Sequence, residues 1–211
     1  MPTMRSYRDG CAIARALDAI GERWALLVVR ELLLGAQRFT DLRRALPGVS
    51  ANLLTDRLRE LEVNGVVTRS TLPPPAASVV YELTGSGSEL EPIILALGQW
   101  GQRMPAPADR RPLSATSVLL YLRSVCRPDP AEQRTVYAVE LDGRTWTIAT
   151  SQGTVTVESG EPPQHDSRLR TDPETLNALL ADPSLFEAAL DDRTLVIDSG
   201  DAATGRRLFS L

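Results

Sequence analysis

Residues 50–64 form an apolar and a polar face when they are placed on a helix, and the polar face carries side chains that could read DNA bases. The apolar face holds three leucines at helical spacing, namely Leu54, Leu58 and Leu61. The opposite face carries Asn52 and Arg59, with Thr55 on its flank. An asparagine amide can pair with adenine, and an arginine guanidinium with guanine. Any exposed amphipathic helix has this pattern, so the residue types leave DNA binding and a plain surface helix both open.

Residues 38–46 precede this run and are interpreted as a shorter amphipathic helix, with Thr40 as a possible cap and Pro47-Gly48 as its end. A short helix, a turn and a longer helix make a helix-turn-helix. Ser50 is predicted either to cap the longer helix or to donate to a phosphate. The arginines predicted to contact phosphates are Arg38, Arg43, Arg44 and, at the base of the following hairpin, Arg69.

The charge distribution agrees with a front part that meets phosphate and a back part that does not. All 23 basic residues are arginines, and the formal net charge is −4. Residues 1–72 contain 11 arginines and 8 acidic residues, whereas residues 113–211 contain 9 and 15. A proline-rich stretch at residues 105–112 is predicted to link residues 1–104 to residues 113–211.

Around the predicted helix-turn-helix, the pattern indicates further helices and a hairpin. Ile13, Leu17 and Ile20 share one helical face, and helical spacing continues from Trp24 to Gly35. Two β-branched runs, residues 66–71 and 78–83, are predicted to form a hairpin, or wing, and residues 91–103 a last helix. The tip of the predicted wing, residues 73–78, contains no basic residue.

The first hundred residues resemble the HxlR-type transcriptional regulators. The resemblance rests on CAIARALDAIGERW at 11–24, RFTDL at 38–42, PGVSANLLTDRLREL at 47–61 and YELT at 81–84. It implies a homodimeric winged helix-turn-helix whose first and last helices form the dimer interface. Two recognition helices would then bind successive major grooves of a roughly palindromic double-stranded DNA operator. Cys11 matches the family's N-terminal cysteine, which senses oxidants or electrophiles in some members.

Residues 113–211 are predicted to form an α/β domain. Helices are expected at 115–126, 172–180, 183–191 and 202–209, and strands at 135–141, 145–150, 153–158 and 195–198. LDGRTW at 141–146, TDPETL at 171–176 and LVIDSGD at 195–201 resemble the sterol-carrier-protein-like fold, which implies an apolar cavity. Its predicted lining is Trp146, Ile148, Leu176, Leu179, Leu180, Phe186, Leu190 and Phe209, which could equally be ordinary core.

The sequence predicts no catalytic constellation, cofactor or metal site. Two distant cysteines, Cys11 and Cys126, and the single His165 lack metal-ligand spacing. The longest apolar run is too short to cross a membrane and no signal peptide is evident, so a cytoplasmic protein is expected.

The predicted fold is therefore α+β, with a winged helix-turn-helix followed by a sterol-carrier-protein-like domain. The leading hypothesis is a DNA-binding repressor that releases its operator when a hydrophobic small molecule binds the second domain. Two alternatives stay open. One is a regulator that senses redox state through Cys11 or Cys126, and the other is a lipid-binding carrier that uses the helical part only to dimerise.

Overall fold

The fold is that of a computed structural model, which describes residues 6–73, 77–105, 111–131 and 133–210. The chain divides into two compact units, Met1–Asp109 and Arg110–Leu211. Each unit has its own sheet and its own helices, and each is described by itself. None of the described helices is both long enough and apolar enough to cross a membrane.

The first unit consists of helices around a small antiparallel sheet. Its helices are α1 (Ala12–Ile20), α2 (Ala25–Leu32), α3 (Phe39–Ala45), α4 (Ala51–Val63), α5 (Gly85–Ser88) and α6 (Glu91–Gly101). Its strands are β1 (Gln37–Arg38), β2 (Val67–Thr71) and β3 (Val79–Leu83), in the sheet order β1-β3-β2. This arrangement contains the predicted helix-turn-helix, α3 and α4, followed by the predicted hairpin, β2 and β3.

Helix α4 begins and ends where the sequence predicted. Ser50 is its N-cap, and its side chain accepts a hydrogen bond from the backbone N–H of Leu53. Gly65 follows the helix with a positive φ of 70°, which suits glycine. The three leucines of the apolar face are at most 2% exposed and join a core formed with α2, α3 and the start of β2. Burial of this leucine face fixes which side of α4 meets solvent.

Several details of the first unit differ from the prediction. The apolar residues keep helical spacing through Trp24, but the helix is interrupted there. Trp24 has a φ of 79° and is the N-cap of α2. Thr40 lies inside α3, whose N-cap position is Arg38 without a side-chain cap, so the predicted cap was wrong. The two-residue strand β1 was not predicted, because a pair of residues has no periodicity to detect. It pairs with β3 and joins the start of α3 to the wing.

The second unit is a five-stranded mixed sheet with helices. Its strands are β4 (Thr135–Leu141), β5 (Arg144–Ser151), β6 (Thr154–Ser159), β7 (Ser167–Thr171) and β8 (Leu195–Ser199). Its helices are α7 (Ala115–Val125), α8 (Pro173–Ala181), α9 (Phe186–Asp191) and α10 (Ala202–Arg207), with a 3₁₀ turn at Pro183–Leu185. The sheet order is β6-β5-β4-β7-β8, and β7 pairs with β4 in parallel while the other pairs are antiparallel.

Strand β7 lies beside the centre of this sheet and was missed by the sequence prediction. Its sequence Ser-Arg-Leu-Arg-Thr alternates, but only Leu169 is a large apolar residue, so the run does not read as a core strand. Arg168 lies near three acidic side chains, namely Glu140, Glu161 and Asp198. These partners make an arginine-bearing strand tolerable in the interior of a sheet, and no local sequence signal reveals them.

Short turns and caps fix the remaining elements of the second unit as predicted. Asp142 and Gly143 both have positive φ values, which suits the tight turn between β4 and β5. Asp172 caps α8 by accepting from the N–H of Thr175, and Pro173 occupies the first helical position. The predicted helix at 183–191 begins as the 3₁₀ turn before α9.

Candidate nucleic-acid interface

The outward face of α4 exposes the polar side chains that were predicted from the sequence to meet DNA bases. Asn52, Thr55, Asp56 and Arg59 are exposed on this face. Among the residues that the structure describes, neither the Asn52 amide nor the Arg59 guanidinium has a hydrogen-bond or ion-pair partner. Both groups are therefore available to an external partner. The Thr55 hydroxyl, in contrast, donates to the Ala51 carbonyl at 2.9 Å.

A second arginine of α4 serves the fold instead. The Arg57 side chain is only 10% exposed and contacts the Glu60 carboxylate and, at 3.8 Å, that of Glu22. Its Nε has no hydrogen-bond partner among the described residues. The Asn64 amide also donates to the Ala19 carbonyl at 3.2 Å. These contacts tie α4 to the end of α1 and its following turn, so the orientation of α4 depends on α1.

The arginines predicted to contact phosphate are all exposed, but their surroundings differ. Arg44 has an ion partner, Asp41, at 3.8 Å within the same helix. Arg38, Arg43 and Arg69 make no ion pair with any described residue. Arg38 is the N-cap of α3 and pairs with Val80 of β3 in the sheet register. The side chains of these cations extend into solvent from the elements that surround α4.

The wing supplies only one of these cations. Arg69 lies on β2 opposite Tyr81, within the hairpin instead of at its tip. Residues 74–76 of the predicted tip lie outside the described residues. The tip sequence is uncharged, so the cation of the wing, Arg69, lies within the hairpin and the tip itself supplies none.

Two helices of the first unit, α1 and α6, expose apolar side chains. On α1, Ile13 is 71% and Leu17 41% exposed. On α6, Ile93, Leu97 and Trp100 stand at i, i+4 and i+7 and are about half exposed. No residue of α6 is buried, although Leu90 and Ile94 pack against the core. Helical spacing predicted that Ile13 and Leu17 share a face of α1, whereas on α6 it predicted a face of Ile94, Leu97 and Trp100 and missed Ile93.

The residues predicted to line a ligand cavity lie mostly in the core of the second unit. Trp146, Ile148, Leu176, Leu179, Phe186 and Phe209 are buried, whereas Leu180 and Leu190 are partly exposed. The Trp146 indole Nε1–H is buried without an acceptor among the described residues, and the Arg144 guanidinium lies 4.7 Å from the ring centroid. Leu190, Leu195 and Ile197 border a surface depression of about 490 Å³. It also includes Arg170 and Arg193.

The two cysteines occupy opposite environments. Cys11 is exposed at the N-cap of α1, and its backbone N–H donates to Asp9. Cys126 is buried, and this burial raises the pKa of its thiol to about 11 despite the neighbouring Arg127. Only Cys11 is placed where a soluble oxidant could reach it.

Comparison with known proteins shows the family of the first unit. Residues 19–109 match the family described as HxlR-like helix-turn-helix. The uncharacterised HTH-type transcriptional regulator YvaP of Bacillus subtilis (strain 168) is 38% identical over 94 residues, which are 44% of this chain and 87% of that protein. The chain belongs to the HxlR-like helix-turn-helix family. This HxlR-like protein is a transcriptional regulator and not an enzyme, as its curated relatives are named.

Two further relatives of this HxlR-like protein carry more specific names. The HTH-type transcriptional regulator YodB of Bacillus subtilis (strain 168) is 33% identical over 94 residues, or 44% of this chain and 84% of that protein. A solved structure described as the redox regulator HypR in its oxidised form is 35% identical and covers 46% of this chain and all of that one, with a TM-score of 0.43. Each of these similarities accounts for less than half of the HxlR-like protein.

Proposed function

We propose that this protein is a homodimeric repressor that binds an operator through α4 and releases it when a hydrophobic small molecule binds the second unit. The single observation that carries the DNA-binding part is the outward face of α4, which presents the unpaired Asn52 amide and Arg59 guanidinium. A helix of this size fits the major groove, where asparagine and arginine are effective readers of adenine and guanine. The Ser50 cap and the buried leucines hold this face outward.

Four arginines bind the phosphate backbone in this proposal. Arg43 and Arg44 lie on α3, the helix that crosses the backbone in helix-turn-helix complexes, and Arg38 lies at its start. Arg69 binds a phosphate from β2. These contacts position the protein without reading sequence, and each released counterion makes affinity fall with salt.

The proposed homodimer buries the exposed apolar faces of α1 and α6. Ile93, Leu97 and Trp100 form a stripe along α6 that has no cover within the described part of the first unit. Contiguous exposed apolar stripes of this kind mark protein interfaces. A second copy of the chain is the occupant expected for an HxlR-type regulator, and it sets two copies of α4 at a spacing that two half-sites can match.

The second unit is proposed as the effector-binding domain, with a sterol-carrier-protein-like fold. Its layer of helices and mixed sheet encloses the predicted aromatic and aliphatic residues, including Trp146 and Phe186. A buried indole N–H without an acceptor is costly, and a ligand with a hydrogen-bond acceptor would satisfy it. Repression is relieved only if the ligand favours the conformation that does not bind DNA.

The proposal is tested in two steps with the full-length protein. Gel-shift titration on DNA upstream of its own gene should give a specific shift at moderate salt. Native mass spectrometry of the purified protein should show a bound apolar molecule, whose removal strengthens the shift and whose return weakens it. The absence of a specific shift on any neighbouring promoter contradicts the operator. If the affinity for DNA is the same with and without the bound molecule, only its proposed role as effector is contradicted.

Sensing through Cys11 is the second candidate, and one observation favours it. Cys11 is exposed at the N-cap of α1, the helix whose end is tied to α4 through Glu22 and Arg57. The name of HypR marks that relative as a redox regulator. Under this alternative, oxidant releases the operator from the wild type and not from a Cys11→Ser variant. A Cys11→Ser variant that still responds to the oxidant excludes it.

A further inference from the structure

The Thr55 side chain is exposed on the base-reading face of α4, yet its hydroxyl is turned back to the helix. The hydroxyl donates its single hydrogen to the Ala51 carbonyl at 2.9 Å. A threonine in this geometry cannot donate to a base without breaking that bond. The hydroxyl oxygen keeps its acceptor lone pairs, and the γ-methyl is the part of the side chain that offers an apolar contact to a partner.

Two neighbours extend this apolar spot and border it with an amide. Ala51 lies one turn before Thr55 on the same side of the helix and is partly exposed, so its methyl lies next to that of Thr55. Asn52 lies three residues before Thr55 and exposes an amide without a partner among the described residues. The N-terminal turn of α4 thus presents two methyl groups beside one donor-acceptor pair.

Thymine is the base whose major-groove edge matches a methyl group, because it alone carries a 5-methyl. An asparagine amide matches adenine. Residues three apart on a helix are separated by about 4.5 Å along its axis. Stacked bases on one strand are separated by about 3.4 Å. Side chains at 52 and 55 therefore reach neighbouring base pairs when α4 lies along the groove.

We infer that Thr55, with Ala51, is a specificity-determining residue that contacts the 5-methyl of a thymine next to the adenine read by Asn52. This inference rests on the proposed function, since it requires α4 to lie in the major groove. It names a feature of the operator, an adjacent adenine and thymine in each half-site. It also gives Thr55 a role based on shape and apolar contact.

The test removes a single methyl from the DNA and a single methyl from the protein. The operator is first obtained by selection from random duplex DNA with the full-length protein. Each thymine is then replaced by deoxyuracil, which removes only the 5-methyl, and affinity is measured by fluorescence anisotropy. One thymine in each half-site should be sensitive, with about a fourfold loss of affinity per half-site, the size expected for one buried methyl.

Two variants of Thr55 separate the methyl from the hydroxyl. Thr55→Ser keeps the hydroxyl and its backbone bond but removes the methyl. It should lose about fourfold per half-site on the thymine operator and nothing more on the deoxyuracil operator. Thr55→Val keeps the methyl and removes the hydroxyl, and should bind within about twofold of the wild type and stay sensitive to deoxyuracil. Thermal unfolding of both variants verifies that α4 is intact.

Arg43→Ala is the matched control. It removes a proposed phosphate contact, and this loss should weaken binding to the thymine and deoxyuracil operators by the same factor. The inference is overturned if deoxyuracil has no effect at any position on the wild type. It is also overturned if Thr55→Ser still discriminates thymine from deoxyuracil as the wild type does. Failure to select any operator is a different result, since it removes the proposed function and this inference with it.

Discussion

Neighbouring side chains of α4 have opposite roles, and the difference comes from burial. Arg57 lies against Glu60 and Glu22, whereas Arg59 two residues later extends into solvent without an ion partner among the described residues. Helical periodicity predicted the exposed position of Arg59, which shares a face with Asn52, whereas the burial of Arg57 was not predicted. The acidic partners of Arg57 could not be predicted, since Glu22 comes from a distant turn.

This pair of arginines gives the first prediction. Arg59→Met should reduce affinity for the operator by about 5- to 150-fold, the loss of one bidentate base contact, and relax base preference at one position. The free energy of unfolding should change little. Arg57→Met should instead lower the free energy of unfolding of the first unit by about 1–2 kcal/mol, because it breaks a partly buried ion pair. Urea titration measures the free energy of unfolding, and fluorescence anisotropy measures the affinity for the operator. A loss of stability in Arg59→Met, with a loss of base preference in Arg57→Met, would contradict the roles given to the two arginines.

The cysteines give a second prediction at the scale of residues. Burial raises the pKa of Cys126 to about 11, so this thiol is protonated at neutral pH, whereas Cys11 is exposed. Iodoacetamide at about pH 8 should therefore modify Cys11 and leave Cys126 unmodified in the folded protein. Peptide mass spectrometry reads the sites. Equal labelling of both cysteines without denaturant would contradict the burial of Cys126.

At the scale of elements, Gly200 makes the close contact between β7 and the turn after β8. Its φ is +86°, and a Cβ there would lie 2.4 Å from the Asp166 carbonyl oxygen. Gly143 also has a positive φ but faces open space, so it is a matched control. Gly143→Ala should cost about 1 kcal/mol of backbone strain. Gly200→Ala should cost about 3 kcal/mol or more, because the clash is added to the strain. Urea unfolding of the second unit measures both, and similar losses would contradict the close approach.

Helix α10 gives a prediction about pH. The N–H and hydroxyl of Thr204 donate to Asp201, and this lowers the pKa of the capping carboxyl below its ordinary value. A lowered pKa in the folded state stabilises the fold when the carboxyl is ionised, and the stabilisation is lost as pH falls through that lowered value. The wild type should therefore lose more stability than Asp201→Asn between about pH 5 and pH 3. Thermal unfolding at a series of pH values measures the stability of both proteins. Equal losses of stability in the wild type and in Asp201→Asn over this range would contradict the prediction.

Most elements were predictable because their signals are local. Periodic leucines, caps such as Ser50 and Asp172, and the Asp142–Gly143 turn each fix an element from a few adjacent residues. Strands β1 and β7 were not predictable, because their places depend on partners far along the chain. The exposed face of α4 was predictable for the same local reasons. The outward apolar stripe of α6 was predicted only in part, because the face expected from the sequence held Ile94, which packs against the core, instead of the exposed Ile93.

At the scale of the whole molecule, the proposed dimer depends on α6. Leu97→Glu should convert the dimer into a monomer, because a charge cannot be buried in an apolar interface without a partner. Leu185→Glu introduces the same charge at an exposed apolar residue of the second unit and should leave the dimer intact. Light scattering after size-exclusion chromatography measures the mass. A dimer that survives Leu97→Glu would contradict this interface.

The charge asymmetry of the molecule agrees with this division of work. Residues 1–72, with 11 arginines and 8 acidic residues, carry the proposed DNA contacts, whereas residues 113–211 contain 9 arginines and 15 acidic residues and on balance repel phosphate. The second unit is therefore proposed to act on the operator only through the dimer, by changing the spacing of the two α4 helices.

The central proposal is a dimer that places two α4 helices in successive major grooves. Hydroxyl-radical footprinting on the selected operator tests it most directly. The account predicts two protected regions whose centres lie about 10 base pairs apart. Both regions should disappear together in the Asn52→Ala, Arg59→Ala double variant at the same protein concentration. A single protected region, or a footprint that the double variant reproduces unchanged, would contradict it.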